Sequence, residues 1–362
     1  MRSSTRWLTS NNILRKLLFL CEKFHTSSLR RRVRYNARSA TFGTHKPTVA
    51  TEIRWCKISQ SGLLRFDGPE VQSFLQGQLT NDVKTLSGTR SHYSGYCTPK
   101  GRLLAALLMW QRDGTYYMQI PRELCEPVRK RLSMYILRAK VKATDVTGEH
   151  VLFGLTGADA ASLVAAIAGL APVTTTAAIH DVVHSESVSV LMLPVQRYLV
   201  VATQADAIRI EALLAAEATE SPATLWSALD IEAGIPAVVA ATQEQFVPQT
   251  VNFDLIGAVS FDKGCYPGQE IVARTHYLGR VKQRMVRARV ASSVAPAAGD
   301  KLYSELYGNQ ASGMIVSAVS ADADNHDVLA VIQTSSLEKS DVHWQSPDGP
   351  ALRLQALPYV VK

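Results

Sequence analysis

Val259-Ser260-Phe261-Asp262-Lys263-Gly264-Cys265-Tyr266-Pro267-Gly268-Gln269-Glu270 is the stretch that the rest of the chain is arranged to present. A cysteine sits between Gly264 and Gly268, two residues after a lysine and two before a Pro-Gly step. Glycine reaches backbone angles that other residues resist, and Pro-Gly is turn chemistry, so Cys265 is expected on a tight, exposed loop. From Pro267 the chain reads as a helix start, with proline in the first turn and Glu270 near the positive end of the dipole. A thiol before a helix N-terminus and near Lys263 is expected to ionise more readily than a free one. The competing reading is a buried cysteine acting as a small hydrophobe. Glycines on both sides favour the reactive or metal-ligating thiol, and they make Cys265 and Lys263 the candidate catalytic residues.

Outward from this stretch lie Ile231-Glu232-Ala233-Gly234-Ile235-Pro236, Gln245-Phe246-Val247-Pro248-Gln249 and Asn252 upstream, and Ala273-Arg274 and Gly279-Arg280 downstream. Phe74-Leu75-Gln76-Gly77-Gln78-Leu79-Thr80-Asn81-Asp82 stands near the N-terminus and Leu357-Pro358-Tyr359 near the C-terminus. With Lys-Gly-Cys-Tyr-x-Gly-Gln-Glu at 263–270, these strings resemble the signature of the YgfZ proteins over residues 50 to the end. That family comprises folate-binding relatives of the glycine-cleavage aminomethyltransferase and includes mitochondrial iron–sulfur assembly factors. The resemblance implies an α+β fold: tandem ferredoxin-like (GcvT-type) folate-binding domains followed by a small C-terminal β-barrel. It also implies tetrahydrofolate as cofactor, an iron–sulfur cluster shared through Cys265, and an A-type carrier or client [4Fe-4S] enzymes as partners. In such relatives the residue matching Trp226 stands by the folate pocket. An aromatic folate contact of some relatives falls at Ser61 here, a departure that bears on pterin affinity.

The chain has 362 residues and a net charge of +8, but the charge is unevenly placed. Residues 1–46 hold eleven Lys and Arg against one acid, leaving 28 basic and 30 acidic residues in the remainder, a net of −2. A body of that charge lacks the basic footprint of a general nucleic-acid binder, so no direct nucleic-acid contact is expected. The leader, residues 1–48, is Arg- and Ser-rich and nearly free of acids, the composition of a mitochondrial transit peptide. An over-extended reading frame is the other reading, because Arg129-Lys130-Arg131-Leu132-Ser133-Met134-Tyr135 resembles bacterial members more closely. The bacterial cytoplasm is the location taken, with the mitochondrial matrix as alternative. No segment approaches transmembrane length. The five cysteines contain no Cys-x-x-Cys pair, so a cluster would need ligands from a partner or from glutathione.

The body is expected to divide into a folate-binding region at 49–280, made of two ferredoxin-like units, and a β-barrel at 281–362. Ile58, Leu63-Leu64 and Phe66 read as a hairpin turning near Ser61-Gly62, and Phe74-Leu75 as a helix closed by Gly77. Residues 103–110 and 116–120 read as a hairpin through Asp113-Gly114, and 121–136 as a helix. Arg138, Lys140 and Lys142 alternate with apolar residues, which would place three cations on one strand face, either solvated or an anion-binding wall. Strand–helix–strand patterns recur at 153–215, with Ala-rich linkers at 171–178 and 216–223. Residues 285–290, 312–319, 328–332 and 352–357 are short strands separated by turns.

Trp226 stands in a helix that ends at Gly234, and it is either core or one wall of a pterin slot. Amides at Gln249 and Asn252 could satisfy pterin edges or tie their own loop. Arg280, Lys282, Arg284, Arg287 and Arg289 join Arg274 in a basic ridge beside Cys265, suited to the glutamate tail of folate or to an acidic partner. Two functions follow: a tetrahydrofolate-binding factor for [4Fe-4S] protein maturation that touches tRNA modification indirectly, or a folate-dependent one-carbon transferase. The second needs a carboxylate at the cofactor, and no motif singles one out.

Overall fold

Residue 54 opens a strand that leaves its sequence neighbour for a different sheet. The computed structural model describes residues 52–169, 178–339 and 341–361; the leader 1–48 and residues 171–177 of the first linker lie outside them. The first run is β1 (Arg54–Lys57), β2 (Ser61–Asp67), α1 (Val71–Gln76), β3 (Ser91–Cys97), β4 (Leu103–Arg112), β5 (Thr115–Pro121), α2 (Cys125–Ile136) and β6 (Lys142–Asp145). The second is β7 (His150–Thr156), α3 (Ala160–Ala168), β8 (Val182–His184), β9 (Val188–Leu193), β10 (Arg197–Thr203), α4 (Gln204–Glu217) and β11 (Thr219–Glu220). Then follow α5 (Thr224–Glu232), α6 (Gln269–Tyr277), β12 (Gln283–Ala291), β13 (Lys301–Tyr303), β14 (Gly313–Ser320), β15 (Asn325–Gln333), α7 (Thr334–Lys339), β16 (His343–Trp344) and β17 (Leu352–Gln355).

These strands form three sheets. One has the order β3-β4-β5-β2-β6 and is antiparallel throughout. A second runs β11-β1-β7-β10-β9-β8, with β1 and β11 parallel and the other pairs antiparallel. The third, β16-β13-β14-β15-β12-β17, is a curled antiparallel half-barrel whose ends meet at a bridge between His343 and Ala351. Helices α1 and α2 cover one face of the first sheet through Val71, Leu75, Val128 and Leu132. Helices α3 and α4 cover the second through Leu163, Ile167, Ile210 and Leu214. The opposite faces share one core with α5 and the half-barrel, including Trp110, Leu199, Trp226, Phe253 and Val316. Each fully buried Leu or Phe there stabilises by about 1.5–3 kcal/mol over leaving it exposed. A strand covered on both faces reads as a continuous apolar run, which is why β4 carries Leu-Leu-Ala-Ala-Leu-Leu-Met-Trp.

Three expectations are corrected. The residue 58–66 hairpin does not form: the turn falls at residues 59–60, Ser61 and Gly62 begin β2, and β1 pairs with β7 and β11. Alternation specifies which side is buried, while both edges of β2 are already taken by β5 and β6. The three-cation strand face is absent as well. Helix α2 ends at Ile136, Leu137 adopts φ 41°, and only Lys142 of the three cations lies in a strand. The second linker is instead the end of α4 plus β11, which pairs with β1.

Candidate functional site

Two places carry chemistry, and different forces hold them. The first is the Cys265 loop. Of the four described cysteines, Cys56, Cys97 and Cys125 are buried, while Cys265 is exposed. Burial pushes the Cys56 and Cys125 thiols up to about 11 and raises Cys97 as well. The loop enters α6 through Gly268 at φ 83°, where a Cβ would meet Gly101 Cα and Thr98 O at 2.5 Å. No L-residue with a side chain fits that approach without displacing the 98–101 turn.

Lys263 is 7% exposed and turns inward. Its Nζ donates to the carbonyls of Gln76 (2.7 Å), Leu79 (2.5 Å) and Asn81 (3.0 Å), and it lies 5.1 Å from the Tyr266 ring centroid. Gly77 closes α1 as expected, its N–H donating to Ser73 O and Phe74 O at φ −81°, and the Gln76 carbonyl is capped by an ammonium from 187 residues later. Burial lowers Lys263 to about 8, opposed by the charge of Asp82. Lys263 makes no hydrogen bond to the Cys265 sulfur among the described residues; it holds the loop. Asn81 Nδ2 donates to Tyr93 O (2.8 Å) and Gly257 O (2.7 Å), and Thr80 Oγ1 donates to Ala258 O (2.7 Å). The polar stretch 76–82 is thereby interlocked with the approach to the thiol. His92 is buried beside this junction, and burial, then His180 and Lys263, push it down to about 3. Phe261 stacks on His276 with centroids 3.7 Å apart, closing the loop against α6.

The second place is a cavity of about 740 Å³ where the three sheets meet α5. Its wall includes Tyr93, Leu108, Gln119, Trp226, Asp230 and Ser317. Arg197 stands behind it, 0% exposed, with Nη1 2.6 Å from Asp230 Oδ1, Nη2 3.3 Å from Tyr93 Oη, and its guanidinium 4.7 Å from the Trp226 ring centroid. Trp226 also packs on Gly154 of β7, where a Cβ would come 2.3 Å from its ring, so little of the indole is left open. Asp230 keeps 31% of its side chain exposed and Oδ2 has no partner among the described residues. Burial raises its pKa and Arg197 opposes the rise. Gln119 Nε2 donates to Ser61 Oγ (3.0 Å).

Of the expected cofactor residues, Trp226 lines the cavity, whereas Gln249, Asn252 and Arg274 do not. Gln249 Nε2 donates to Val272 O (2.6 Å) and Asn252 Nδ2 to Met285 O (2.8 Å), both fully buried, so these amides tie the loop to α6 and β12. Arg274 is exposed on α6. The basic ridge is thinner than expected: Arg284 is buried in a bidentate pair with Asp254 (2.8 and 3.0 Å) and Arg289 pairs with Asp327, leaving Arg274, Arg280 and Lys282 exposed. Among the described residues no group of three or more His, Cys, Asp and Glu could hold a metal ion, and no helix is long and apolar enough to cross a membrane.

No family model matches the chain. It is 31% identical over 300 residues to a protein of Klebsiella pneumoniae, covering 82% of this chain and 90% of that one. With a protein of Sodalis glossinidius it shares 32% over 319 residues, covering 87% and 95%. Both relatives are named tRNA-modifying protein YgfZ. The chain belongs to the YgfZ family. Its fold also resembles glycine cleavage system aminomethyltransferase T from Bartonella henselae, at a TM-score of 0.63 and 16% identity over 86% of this chain and 87% of that one.

In this YgfZ-family chain the sequence reading passed over Arg197, Asp230, Tyr93, Gln119 and Ser317. A signal existed for Asp230, which follows Trp226 at the i,i+4 spacing that places two side chains on one helix face. Arg197 carries another: it is the lone charge opening the apolar β10.

Proposed function

We propose that this chain is a tetrahydrofolate-binding accessory factor in the maturation or repair of [4Fe-4S] proteins, acting through Cys265 and affecting tRNA modification indirectly. The observation that carries it is the contrast among cysteines: three are buried, and Cys265 stands exposed on a loop anchored by Lys263. An exposed thiol on a rigid base suits ligation of a cluster in transit, with the remaining ligands coming from an A-type carrier, a client enzyme or glutathione. The cluster is cargo here. For folate, a cavity of about 740 Å³ with an apolar wall and Asp230 Oδ2 free fits a flat, donor-bearing heterocycle. Bound there, the reduced pterin would supply reducing equivalents or a one-carbon carrier, while the residues of the wall hold and orient it.

The strand orders support reading residues 49–280 as two ferredoxin-like units. In the first, β6-β2-β5-β4 with α1 and α2 follows the β-α-β-β-α-β scheme, with β3 added at the edge. In the second, β7, α3, β9, β10, α4 and β11 do the same, with β1 inserted between β11 and β7. Residues 281–362 then form the C-terminal barrel domain, and the bacterial relatives favour the cytoplasm. Asp230 favours a second reading, a folate-dependent one-carbon transferase, because it places a carboxyl in the cavity where such chemistry needs one.

The test mixes wild type and Cys265→Ala anaerobically with a cluster-loaded A-type carrier and reads absorbance and native mass. A cluster-containing complex with wild type that is lost in the variant is the expected result. Equal complexes, or none with either protein, would overturn the role of Cys265. Turnover of methylene-tetrahydrofolate with an aminomethyl donor would establish the transferase instead.

A further inference from the structure

The polar groups of the cavity are few, and they differ between interior and rim. At the rim Gln60, Arg122 and Glu123 are exposed; the Glu123 carboxylate accepts from Ala240 N (2.7 Å), and Arg122 has no ion pair among the described residues. Inside, Asp230 is held from behind. Arg197 is fixed by Pro194 O (3.2 Å), Tyr93 Oη and Trp226, so the one oxygen of Asp230 that it binds cannot turn away without leaving a buried guanidinium unpaired. The other oxygen faces the cavity as an acceptor set in place before any ligand arrives. Ser317, at the strand irregularity between Ile315 and Ser317, also lines the cavity, but its Oγ is buried away from that space and has no partner.

We propose that Asp230 selects the ligand's ring, its Oδ2 accepting N–H donors from the 2-amino-4-oxopyrimidine edge of a pterin, with the anionic tail directed to Arg122. The assignment rests on the folate reading and gives it a polarity. Arg197 and Asp230 cancel in charge, so the interior favours a neutral, donor-rich edge; an anionic group there would meet the carboxylate, while at the rim it meets a cation. Methylation of the ring nitrogen that carries the donor removes one hydrogen bond and leaves Asp230 facing a methyl group, a loss that built polar sites punish heavily.

Anaerobic equilibrium binding of tetrahydrofolate and of its N3-methyl derivative to the full chain tests this. Wild type should prefer the unmethylated ligand by at least tenfold. Asp230→Asn should bind tetrahydrofolate at least tenfold more weakly and lose most of that preference. Arg122→Ala should weaken tetrahydrofolate and leave tail-less tetrahydropterin unchanged. Equal binding of both ligands by wild type overturns the assignment, and that result is read without any variant, so a poorly folded Asp230→Asn cannot hide it. Retention of the preference by a folded Asp230→Asn also overturns it. Binding of neither ligand by wild type rejects the folate reading itself, whereas binding without discrimination rejects the role of Asp230 alone.

Discussion

The cavity and the Cys265 loop are both built around a buried cation, but the cations serve opposite ends. Arg197 is paired with a carboxylate and holds it toward an interior space. Lys263 has no carboxylate in contact; it is spent on three backbone carbonyls, and the residue it serves lies outside. A planar guanidinium can grip Asp230, Tyr93 and Pro194 O at once, which suits a fixed recognition wall. A compact ammonium with three donors suits the end of a helix, whose last carbonyls have no partners of their own. The difference teaches that a charged residue beside a reactive group in sequence need not act on that group. Lys263 stands two positions from Cys265 and works as a clamp.

Removing each cation breaks the comparison in a different place. Arg197→Met should cost about 3–5 kcal/mol, because Asp230 is left without its buried partner. Thermal denaturation would read the loss, and the reaction rate of Cys265 with a thiol reagent should stay near wild type in protein that remains folded. Lys263→Met should cost about 2–3 kcal/mol through three carbonyls that lose a charged donor. Here limited proteolysis should cut first within residues 255–280, and cavity ligands should bind as before. If either variant disturbs both places equally, the two are one cooperative unit and the contrast fails.

Acid should act on the junction between them. His92 is held down to about 3, so below its ordinary value of 6.5 the unfolded chain takes a proton that the folded chain refuses. Stability therefore falls as pH drops through 6.5, by about 2 kcal/mol at pH 5 from this residue alone. His180, lowered to about 4, acts in the same direction. Denaturation midpoints of His92→Gln should show a flatter acid limb than wild type; an identical limb would remove His92 from the account. The smallest effect belongs to Cys265→Ala. An exposed thiol with no partner should change stability by less than about 0.5 kcal/mol, so any loss of cluster handling would be chemical.

Much of the site was legible without coordinates. The Lys-Gly-Cys-Tyr-Pro-Gly-Gln-Glu string, the exposure of Cys265 and a helix following it come from glycine and proline placement, which is local in the chain, although that helix starts at Gln269 and leaves Pro267 outside its first turn. The short strands after Arg284 and the helix carrying Trp226 follow from apolar period for the same reason. What only the tertiary structure decided are contacts between residues far apart. β1 joins β7 rather than β2, Lys263 caps a helix 187 positions away, and Gln249 and Asn252 spend their amides on Val272 and Met285. Asp230 is held at the cavity because Arg197, 33 residues earlier, is buried behind it. Period and turn chemistry report which side of an element faces inward; which element it meets there is set by the packing of all three sheets, to which no single stretch of sequence has access.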